Sequence, residues 1–382
     1  MHIVHVSTDP GIPVWGAKGA SVHVQEMLRA FLRRGAHVTL LSPRLEGKPP
    51  ADLTAVEVLE LPPTPKGDPE TRARALLVVN EAVTTALGRL GPDLVYERHA
   101  LFSHAAMEWA QEKGLPSILE VNAPLVAEQI AHRSLGLPEE AEASVKCAMR
   151  AAGLVAAVSA PVAEHARAMG ARNVRVVPNA VDPARFPKPA PSAGRPFTVG
   201  FLGSMKPWHG LPVLVDAVAL LRTTVPDARL LIVGDGPERA SVEARLAAQG
   251  LSDAVEVTGL LPAAAVPSAL ARIDVGTAPY LASNSFYFSP LKIYEYFAAA
   301  RPVVASATGH LGDIVSEGRT GHLVAPDDPT ALSDALAGLA RDPARARRMG
   351  QTGRDWVLAN HTWDMTAERI LKGATLAQER AA

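Results

Sequence analysis

The stretch SPLKIYEYFAAARPVVAS, which begins at Ser289, is the segment richest in residues that could bind a phosphate. Serine is a common helix cap and proline suits the first helical position, so Ser289 and Pro290 predict a helix that continues to Ala300. The backbone N–H groups of Leu291 and Lys292 would lack partners within that helix and could bind phosphate oxygens. The Lys292 ammonium would add a positive charge.

Glu295 follows Leu291 by one helical turn and lies on the same face of the predicted helix. A carboxylate at this position can accept two hydrogen bonds from the hydroxyl groups of a ribose. The pattern also fits a surface helix on which Lys292 and Glu295 simply pair. The motif alone leaves both interpretations open.

A second loop with possible cations, GSMKPWHG, begins at Gly203 between a predicted strand and a predicted helix. Lys206 and His209 would be two cations at a helix N-terminus, which is a favourable place for a diphosphate. The alternative is that Lys206 is an ordinary solvated loop lysine.

Near the start of the chain, the loop GAKGASVHVQE begins at Gly16 and precedes a helix predicted from Val22 to Arg34. Gly16 and Gly19 would allow the backbone to approach a ligand, and the helix N-terminus favours an anion. The loop matches neither G-x-G-x-x-G nor the P-loop, which weakens NAD-binding and simple NTPase interpretations. A purely structural turn remains an alternative.

Several motifs are absent from the sequence. It contains no Asp-x-Asp and no His/Glu spacing of a zinc protease, so we expect no catalytic metal and no other cofactor. There is no G-x-S-x-G, which argues against a serine hydrolase. The segment VGDGPE, beginning at Val233, is interpreted as a turn that ends a strand.

The elements that must position these residues form two successive α/β halves. Apolar runs alternate with amphipathic helical stretches, a pattern typical of a parallel sheet covered on both faces. The strands predicted in the first half are His2–Ser7, His37–Ser42, Ala55–Leu61, Leu94–Glu97, Ser117–Val121, Leu154–Ser159 and Val174–Pro178. Those predicted in the second half are Phe197–Leu202, Arg229–Val233, Val255–Thr258, Ile273–Thr277, Pro302–Ser306 and His322–Val324.

Proline-rich residues separate the two halves. The segment from Val181 to Arg195 has little apolar periodicity and is interpreted as an interdomain linker. We predict an N-terminal domain over residues 1–188, a C-terminal domain over 189–362, and a last helix over 363–382. Two such domains bind ligands at the carboxyl ends of their strands.

Composition limits the class of protein. The 382 residues are 48% hydrophobic with a formal net charge of −1, so we expect a globular protein with no partner nucleic acid. The single cysteine, Cys147, excludes an internal disulfide. The first residues lack the pattern of a signal peptide, and no apolar run is long enough to span a bilayer. We therefore expect a cytoplasmic location.

Eight segments in order resemble the family 4 glycosyltransferases of the GT-B fold. They are GAKGASVHV, VVPNAVDPARF, GFLGSMKPWHG, LLIVGDGPE, VTGLLP, SPLKIYEYFAAARPVVAS, GHLGDIVSEGRTGHLVAPDDP and the final HTW. The resemblance implies two Rossmann-like domains facing a cleft, with the last helix crossing back to the N-terminal domain. It further implies metal-independent transfer of a sugar, with retention, from a nucleotide-sugar (most often a UDP-sugar) to a hydroxyl acceptor.

Carried over residue by residue, the resemblance assigns a donor site. Gly19 matches the loop that approaches the donor, Leu291 and Lys292 match the phosphate-binding amides, and Glu295 matches the ribose ligand. Three departures from the family pattern involve four positions. Tyr287 replaces the first glutamate of the paired-glutamate motif, Ser204 and His209 replace an arginine and a lysine, and Asn122 replaces the acceptor-side histidine. The complete donor-binding prediction is Gly19, Ser204, Tyr287, Ser289, Leu291 and Glu295.

The remaining assignments concern catalysis and the acceptor. We predict that Lys292, Lys206 and His209 stabilise the leaving diphosphate and that Asn122 orients the acceptor hydroxyl. The predicted acceptor-binding residues are Lys18, His23, Arg98 and Glu128. The segment from Glu97 to His99 and Arg133 are expected around the same pocket.

No residue reads as a covalent nucleophile, so the family's front-face path is favoured, in which the leaving phosphate accepts the proton of the acceptor. The acceptor itself stays undefined, and weak peripheral contact with a membrane is left open. Three alternatives remain: a GT-B sugar-nucleotide epimerase, a nucleotide-sugar-binding protein that has lost catalysis, and a periplasmic-type two-domain binding protein.

Overall fold

The computed structural model describes residues 1–132, 134–187, 194–282, 286–287 and 289–381. The strands of the first half are β1 (His2–Ser7), β2 (His37–Ser42), β3 (Glu57–Glu60), β4 (Leu94–Arg98), β5 (Ser117–Val121), β6 (Leu154–Ala157) and β7 (Val174–Val176). Its helices are α1 (Gly19–Arg33), α2 (Pro69–Leu90), α3 (Ala105–Glu112), α4 (Leu125–His132), α5 (Pro138–Ala151) and α6 (Ala160–Ala168).

The second half repeats the alternation. Its strands are β8 (Thr198–Leu202), β9 (Arg229–Val233), β10 (Val255–Val257), β11 (Val275–Ala278), β12 (Val303–Ser306) and β13 (Gly321–Val324). Its helices are α7 (Leu211–Thr224), α8 (Arg239–Ala248), α9 (Val266–Leu270), α10 (Leu291–Ala298), α11 (Leu311–Ile314), α12 (Pro329–Arg341), α13 (Pro343–Asn360) and α14 (Trp363–Ala381). Each predicted strand is confirmed, four of them (β1, β2, β5 and β9) with the predicted bounds and the others with shifted ends.

The chain divides into two compact units. The N-terminal unit comprises residues 1–178, 287–289 and 363–382, and the C-terminal unit comprises residues 179–286 and 290–362. The predicted division placed the first change at residue 188. Within the predicted linker, residues 188–193 lie outside the described residues. The residues before them are built into the C-terminal unit, where Val181 donates its N–H to the carbonyl of His361 and Phe186 is buried.

Each unit is built on one parallel sheet. The strand order is β3-β2-β1-β4-β5-β6-β7 in the N-terminal unit and β10-β9-β8-β11-β12-β13 in the C-terminal unit. The order reverses between β1 and β4 in the first sheet and between β8 and β11 in the second. In sheets of this kind ligands bind beyond the carboxyl ends of the strands at the reversal, so the topology points to one candidate site in each unit.

The last helix belongs to the N-terminal unit. Trp363, Ile370 and Ala374 of α14 are each 1% exposed. Arg33 of α1 donates to Asp364 of α14 at 2.8 Å. Helix α14 therefore covers one face of the first sheet together with α1.

Candidate functional site

The site of the C-terminal unit begins with a glycine at the end of β8. Gly203 has a φ of +136°, and a Cβ on this residue would lie 3.2 Å from the Lys292 Nζ. Gly234, after β9, has a φ of +143°, and a Cβ there would lie 2.0 Å from the carbonyl oxygen of Gly203. Both positions require glycine. The first glycine of the VGDGPE turn, Gly234, is therefore explained by the structure. The small loop leaves space beside a lysine side chain.

The Lys292 side chain is buried at the start of α10. It is 7% exposed, and its Nζ has no hydrogen-bond partner within the part of the chain that the structure describes. The Nζ lies 4.2 Å from the ring centre of Phe201 and 5.2 Å from that of Tyr280. Burial lowers the pKa of Lys292 to about 7, although Glu295 opposes the shift. An unpaired buried ammonium of this kind is suited to an anionic ligand.

The N-terminus of α10 differs from the prediction by one residue. The predicted cap at Ser289 is wrong, because Pro290 has extended backbone (φ −75°, ψ 105°) and the helix begins at Leu291. Pro290, which occupies the N-cap position, makes no side-chain capping bond. The first-turn N–H groups of Leu291 and Lys292 therefore remain candidates for phosphate oxygens.

Glu295 is buried, which excludes the surface-helix interpretation. The residue is 8% exposed, and its Oε1 lies 3.9 Å from the Nη2 of Arg185. The same Arg185 nitrogen donates to the carbonyl of Ala263 at 2.7 Å. Sequence reasoning missed Arg185, which lies in the segment interpreted as a linker. The ion pair holds the Glu295 carboxylate one turn beyond the helix N-terminus.

His209 is not a second cation, and this prediction is wrong. Its Nδ1 hydrogen-bonds the carbonyl of Ser204, and since a carbonyl only accepts, Nδ1 carries the proton. Burial, with the charge of Lys292, lowers the pKa of His209 to about 3. The ring is therefore neutral at physiological pH and fixes the loop that contains the exposed Ser204.

Lys206 does not lie at the N-terminus of α7. It precedes a single 3₁₀ turn, and Gly210 separates that turn from the first residue of α7. The Lys206 Nζ lies 5.8 Å from the ring centre of Trp208. Gly210 has a φ of +66°, and a Cβ there would lie 1.7 Å from the carbonyl oxygen of Pro279. The turn is thus held against the segment that follows β11.

In the N-terminal unit, α1 begins earlier than predicted. Gly19 is its first residue, and Lys18 is its N-cap with no side-chain capping bond to a described residue. Both residues are exposed. A Cβ on Gly19 would meet no described atom within 4 Å, whereas one on Gly16 would lie 2.9 Å from the Pro13 ring. The packing of this unit therefore requires the glycine at 16 but not the one at 19.

Three predicted residues converge on a glutamate that sequence reasoning missed. The Oε1 of Glu120 accepts hydrogen bonds from Arg98 and Asn122 and lies 3.1 Å from the Nε2 of His23. Its Oε2 accepts a hydrogen bond from the hydroxyl of Tyr96. Burial alone would raise the pKa of Glu120, but His23 and Arg98 outweigh it and hold the pKa well below its usual range.

Helix α14 covers this cluster. The ring of Trp363 meets the ring of His23 edge-on, with 4.6 Å between centres. A cavity of about 10 Å³ lies between His23, Glu120, Asn122 and Thr366, among other residues. It is about the size that holds one water molecule. The cluster is therefore a closed part of the unit interior on this side.

A larger pocket of about 340 Å³ opens beyond the ends of β1, β4 and β5. Its polar lining includes Arg98, His99, Asn122 and Glu128. Its apolar lining includes Ile12, Leu76, Leu101, Phe102 and Leu135. The two kinds of lining suit a ligand with both hydroxyl groups and an apolar face.

Two predicted residues are placed differently from expectation. Glu97 does not line the pocket, because side chains alternate along β4 and its carboxylate accepts a hydrogen bond from Ser103 on the other face. Burial raises the pKa of Glu97 to about 7. Tyr287, predicted for the donor sugar, donates its hydroxyl to the Oε2 of Glu128 at 2.7 Å in the N-terminal unit. Arg133 lies outside the described residues.

His99 lines the pocket but keeps its ring nitrogens buried. Neither nitrogen has a hydrogen-bond partner among the residues with described side chains. Burial lowers the pKa of His99 to about 4, with His165 and Arg98 acting in the same direction. The ring is thus neutral at physiological pH.

The described residues contain no group of three or more His, Cys, Asp or Glu side chains that could hold a metal ion. None of their helices combines the length and the apolar character that crossing a membrane requires.

Both units match known family models. Residues 17–185 match the model described as Glycosyltransferase Family 4, and residues 196–342 match the model described as Glycosyl transferases group 1.

Two curated proteins illustrate the relationship in sequence. The chain is similar to a 2-deoxystreptamine glucosyltransferase from Streptomyces kanamyceticus, at 32% identity over 54% of this chain and 56% of that protein. It is also similar to a GDP-mannose-dependent alpha-(1-6)-phosphatidylinositol monomannoside mannosyltransferase from Mycolicibacterium smegmatis, at 33% identity over 44% of this chain and 45% of that protein. The chain spans about half the length of these relatives.

Two solved structures resemble the whole chain. Sucrose-phosphate synthase from Thermosynechococcus elongatus has a TM-score of 0.77 at 23% identity and covers 100% of this chain and 99% of its own. HepE of Anabaena in complex with UDP-glucose has a TM-score of 0.73 at 18% identity and covers 98% of this chain and 99% of its own. These likenesses show the fold, and the predicted GT-B class, with two Rossmann-like domains, is confirmed.

Proposed function

We propose that this chain is a retaining glycosyltransferase that moves a sugar from a nucleotide-sugar to a hydroxyl acceptor without a metal ion. The observation that carries the proposal is the buried ammonium of Lys292, which has no partner among the described residues. It lies at the strand-order reversal of a Rossmann-like unit, where ligands bind. The family matches of both units support the same activity.

The donor diphosphate would bind at the N-terminus of α10. The N–H groups of Leu291 and Lys292 and the Lys292 ammonium supply donors and charge, and Gly203 leaves the space that a side chain would fill. Glu295, held near Arg185, would accept the ribose hydroxyls. We propose a UDP-sugar as donor, as in the HepE complex, while the mannosyltransferase relative is described as GDP-mannose-dependent.

Transfer would depend on stabilising the leaving diphosphate. As the bond from the anomeric carbon to the phosphate oxygen breaks, negative charge grows on the phosphate, and the Lys292 ammonium offsets it. Lys206 would supply the second cation, while neutral His209 fixes the loop. The acceptor oxygen bonds to the anomeric carbon on the same face, and its proton passes to the leaving phosphate.

The acceptor would bind in the 340 Å³ pocket of the N-terminal unit. Arg98 and Asn122 lie at its polar wall, and Glu128 is held there by Tyr287. His23 would act through the Glu120 cluster, and the exposed Lys18 would contact the acceptor from the start of α1.

The test is a panel of UDP-, GDP- and ADP-sugars screened by thermal shift, followed by acceptor-dependent release of nucleoside diphosphate. A ligand at a hundred times its Kd should add about 2.7 kcal/mol of stability. We expect one nucleotide class to bind and acceptors to accelerate release, with the anomeric configuration retained in the product by NMR. Lys292→Met should reduce the shift and remove most of the transfer activity, and Lys372→Met, at an exposed lysine of α14, should change neither.

Three results would contradict the proposal. Binding without transfer to any acceptor would favour a binding protein. Interconversion of the sugar without an acceptor would favour an epimerase. A product of inverted configuration would exclude the front-face path.

A further inference from the structure

The two oxygens of the Glu120 carboxylate have different numbers of partners. Three donors, from His23, Arg98 and Asn122, meet Oε1, and the hydroxyl of Tyr96 alone meets Oε2. All of these groups belong to the N-terminal unit. Oε1 therefore contacts side chains at the end of the sheet and on α1, whereas Oε2 contacts a side chain within the sheet.

The bond to Oε1 fixes the orientation of the Asn122 amide. A carboxylate oxygen can only accept, so the group that faces Glu120 is the NH₂ of Asn122. The amide oxygen must point away from Glu120. Within the described part of the chain it accepts no hydrogen bond. Asn122 thus offers its amide oxygen as an acceptor on the side away from Glu120, beside the second N–H of its amide group.

Arg98 is held in the same way. One of its terminal nitrogens donates to Glu120, and its other N–H groups donate to no described residue. Arg98 and Asn122 both line the 340 Å³ pocket, whereas Glu120 does not. The carboxylate is therefore placed to act on a pocket ligand only through these two neighbours.

We propose that Glu120 is a positioning residue that presents the amide oxygen of Asn122 to a hydroxyl group, other than the reacting one, of an uncharged alcohol acceptor. The inference rests on the proposed function and adds a residue and an acceptor class to it. This second hydroxyl donates to the amide oxygen of Asn122, and the remaining N–H groups of Arg98 donate to a neighbouring oxygen. The reacting O–H thereby keeps its proton for the leaving phosphate. A neutral acceptor fits because the charge of Arg98 is already paired with that of Glu120.

The test exchanges the hydrogen-bonding roles of the pair. Asn122→Asp places two carboxylates together, so we expect repulsion to displace residue 122 and kcat/KM for the acceptor to fall about a hundredfold, as a misplacement near 1 Å can cause. Glu120→Gln should lower it about tenfold, because Arg98 loses its charge partner. When both substitutions are combined, the introduced amide at position 120 can donate to the introduced carboxylate at position 122, and kcat/KM should recover to within about tenfold of the parent.

The matched control is Tyr96→Phe, which removes the bond to the other oxygen of the same carboxylate. We expect it to lower the thermal midpoint but to leave kcat/KM for the acceptor within about twofold of the parent. The Kd of UDP should stay within about twofold in all variants. A merely structural role for Glu120 would make Tyr96→Phe and Glu120→Gln alike in kinetics.

The outcomes separate the two proposals. A parent without transfer activity overturns the proposed function and this inference with it. An active parent whose double variant shows only the product of the two single losses overturns the inference alone. If Glu120→Gln does not fold, Asn122→Asp against Asn122→Ala decides: the inference requires the aspartate variant to be slower, and a faster aspartate variant overturns it.

Discussion

Lys292 holds its ammonium 4.2 Å from the centre of the Phe201 ring, and no described carboxylate forms a hydrogen bond or ion pair with it. The negative face of an aromatic ring stabilises a buried cation only weakly. A negatively charged ligand would therefore stabilise the Lys292 ammonium further. Ligand binding would supply that charge, and the effect can be measured.

The first prediction concerns pH. A bound diphosphate should raise the Lys292 pKa from its lowered value of about 7, so the bound protein holds more protons than the free one. The Kd of an intact UDP-sugar should therefore rise with pH above about 7, by up to about tenfold per unit. Calorimetry from pH 6 to 9 measures this, and the intact donor avoids the terminal phosphate of free UDP, which titrates near pH 6. The same slope in Lys292→Met would assign the titration to another group.

The second prediction separates ground-state binding from catalysis. Lys292→Ala should lower kcat far more than it weakens donor binding, because charge on the phosphate grows in the transition state. Steady-state kinetics and calorimetric Kd values provide the comparison, with Lys372→Ala on the exposed face of α14 as control. An unchanged kcat with a raised KM would restrict Lys292 to tethering the donor.

The third prediction concerns the ribose. Glu295→Gln should weaken free nucleoside diphosphate and intact donor equally, by about 10- to 150-fold, since charge-assisted hydrogen bonds to the ribose are worth about 1.5–3 kcal/mol. Glu243→Gln, at an exposed carboxylate of α8, is the control. Equal affinity of the parent and the Glu295 variant for free diphosphate would remove Glu295 from the ribose.

The fourth prediction is that transfer survives chelation. The described residues offer no cluster of metal ligands, and the Lys292 ammonium lies at the proposed phosphate site. Turnover should be unchanged by excess EDTA. Loss of turnover that magnesium or manganese restores would contradict the metal-independent mechanism.

The fifth prediction compares two glycines with nearly equal φ angles. Gly210 (φ +66°) would place a Cβ 1.7 Å from a backbone oxygen, whereas Gly250 (φ +67°) has open space. Gly250→Ala should cost about 1–2 kcal/mol, the usual penalty of this conformation. Gly210→Ala should cost more than about 4 kcal/mol or yield no folded protein. Equal thermal midpoints of the two variants would show that the 207–210 turn can move away from Pro279.

The strands could be predicted because both faces of a parallel sheet are covered, which makes each strand a continuous apolar run. Their order could not, because it depends on pairing between distant segments. The predicted helix start differs by one residue because Ser289 and Pro290 fit the usual cap and first helical positions, whereas the extended backbone of Pro290 delays the start to Leu291.

Less of the candidate sites than of the strands could be predicted from the sequence. Motif spacing identified Lys292 and Glu295, but their burial depends on residues far away in the chain, such as Phe201 and Arg185. His209 was assigned a charge that burial removes. Glu120 gave one signal, a lone carboxylate in the apolar strand SILEV, and its partners come from separate elements.

Trp363 closes over His23 from the far end of the chain, and this has a consequence for biosynthesis. When a ribosome has finished β7, the nascent N-terminal unit still lacks α14, the cover of its buried ion pairs. The C-terminal unit consists of residues 179–286 and 290–362, so all of it is made before α14. Domains usually complete folding in the order of translation. Here the C-terminal unit can reach its native state before α14 covers the N-terminal unit.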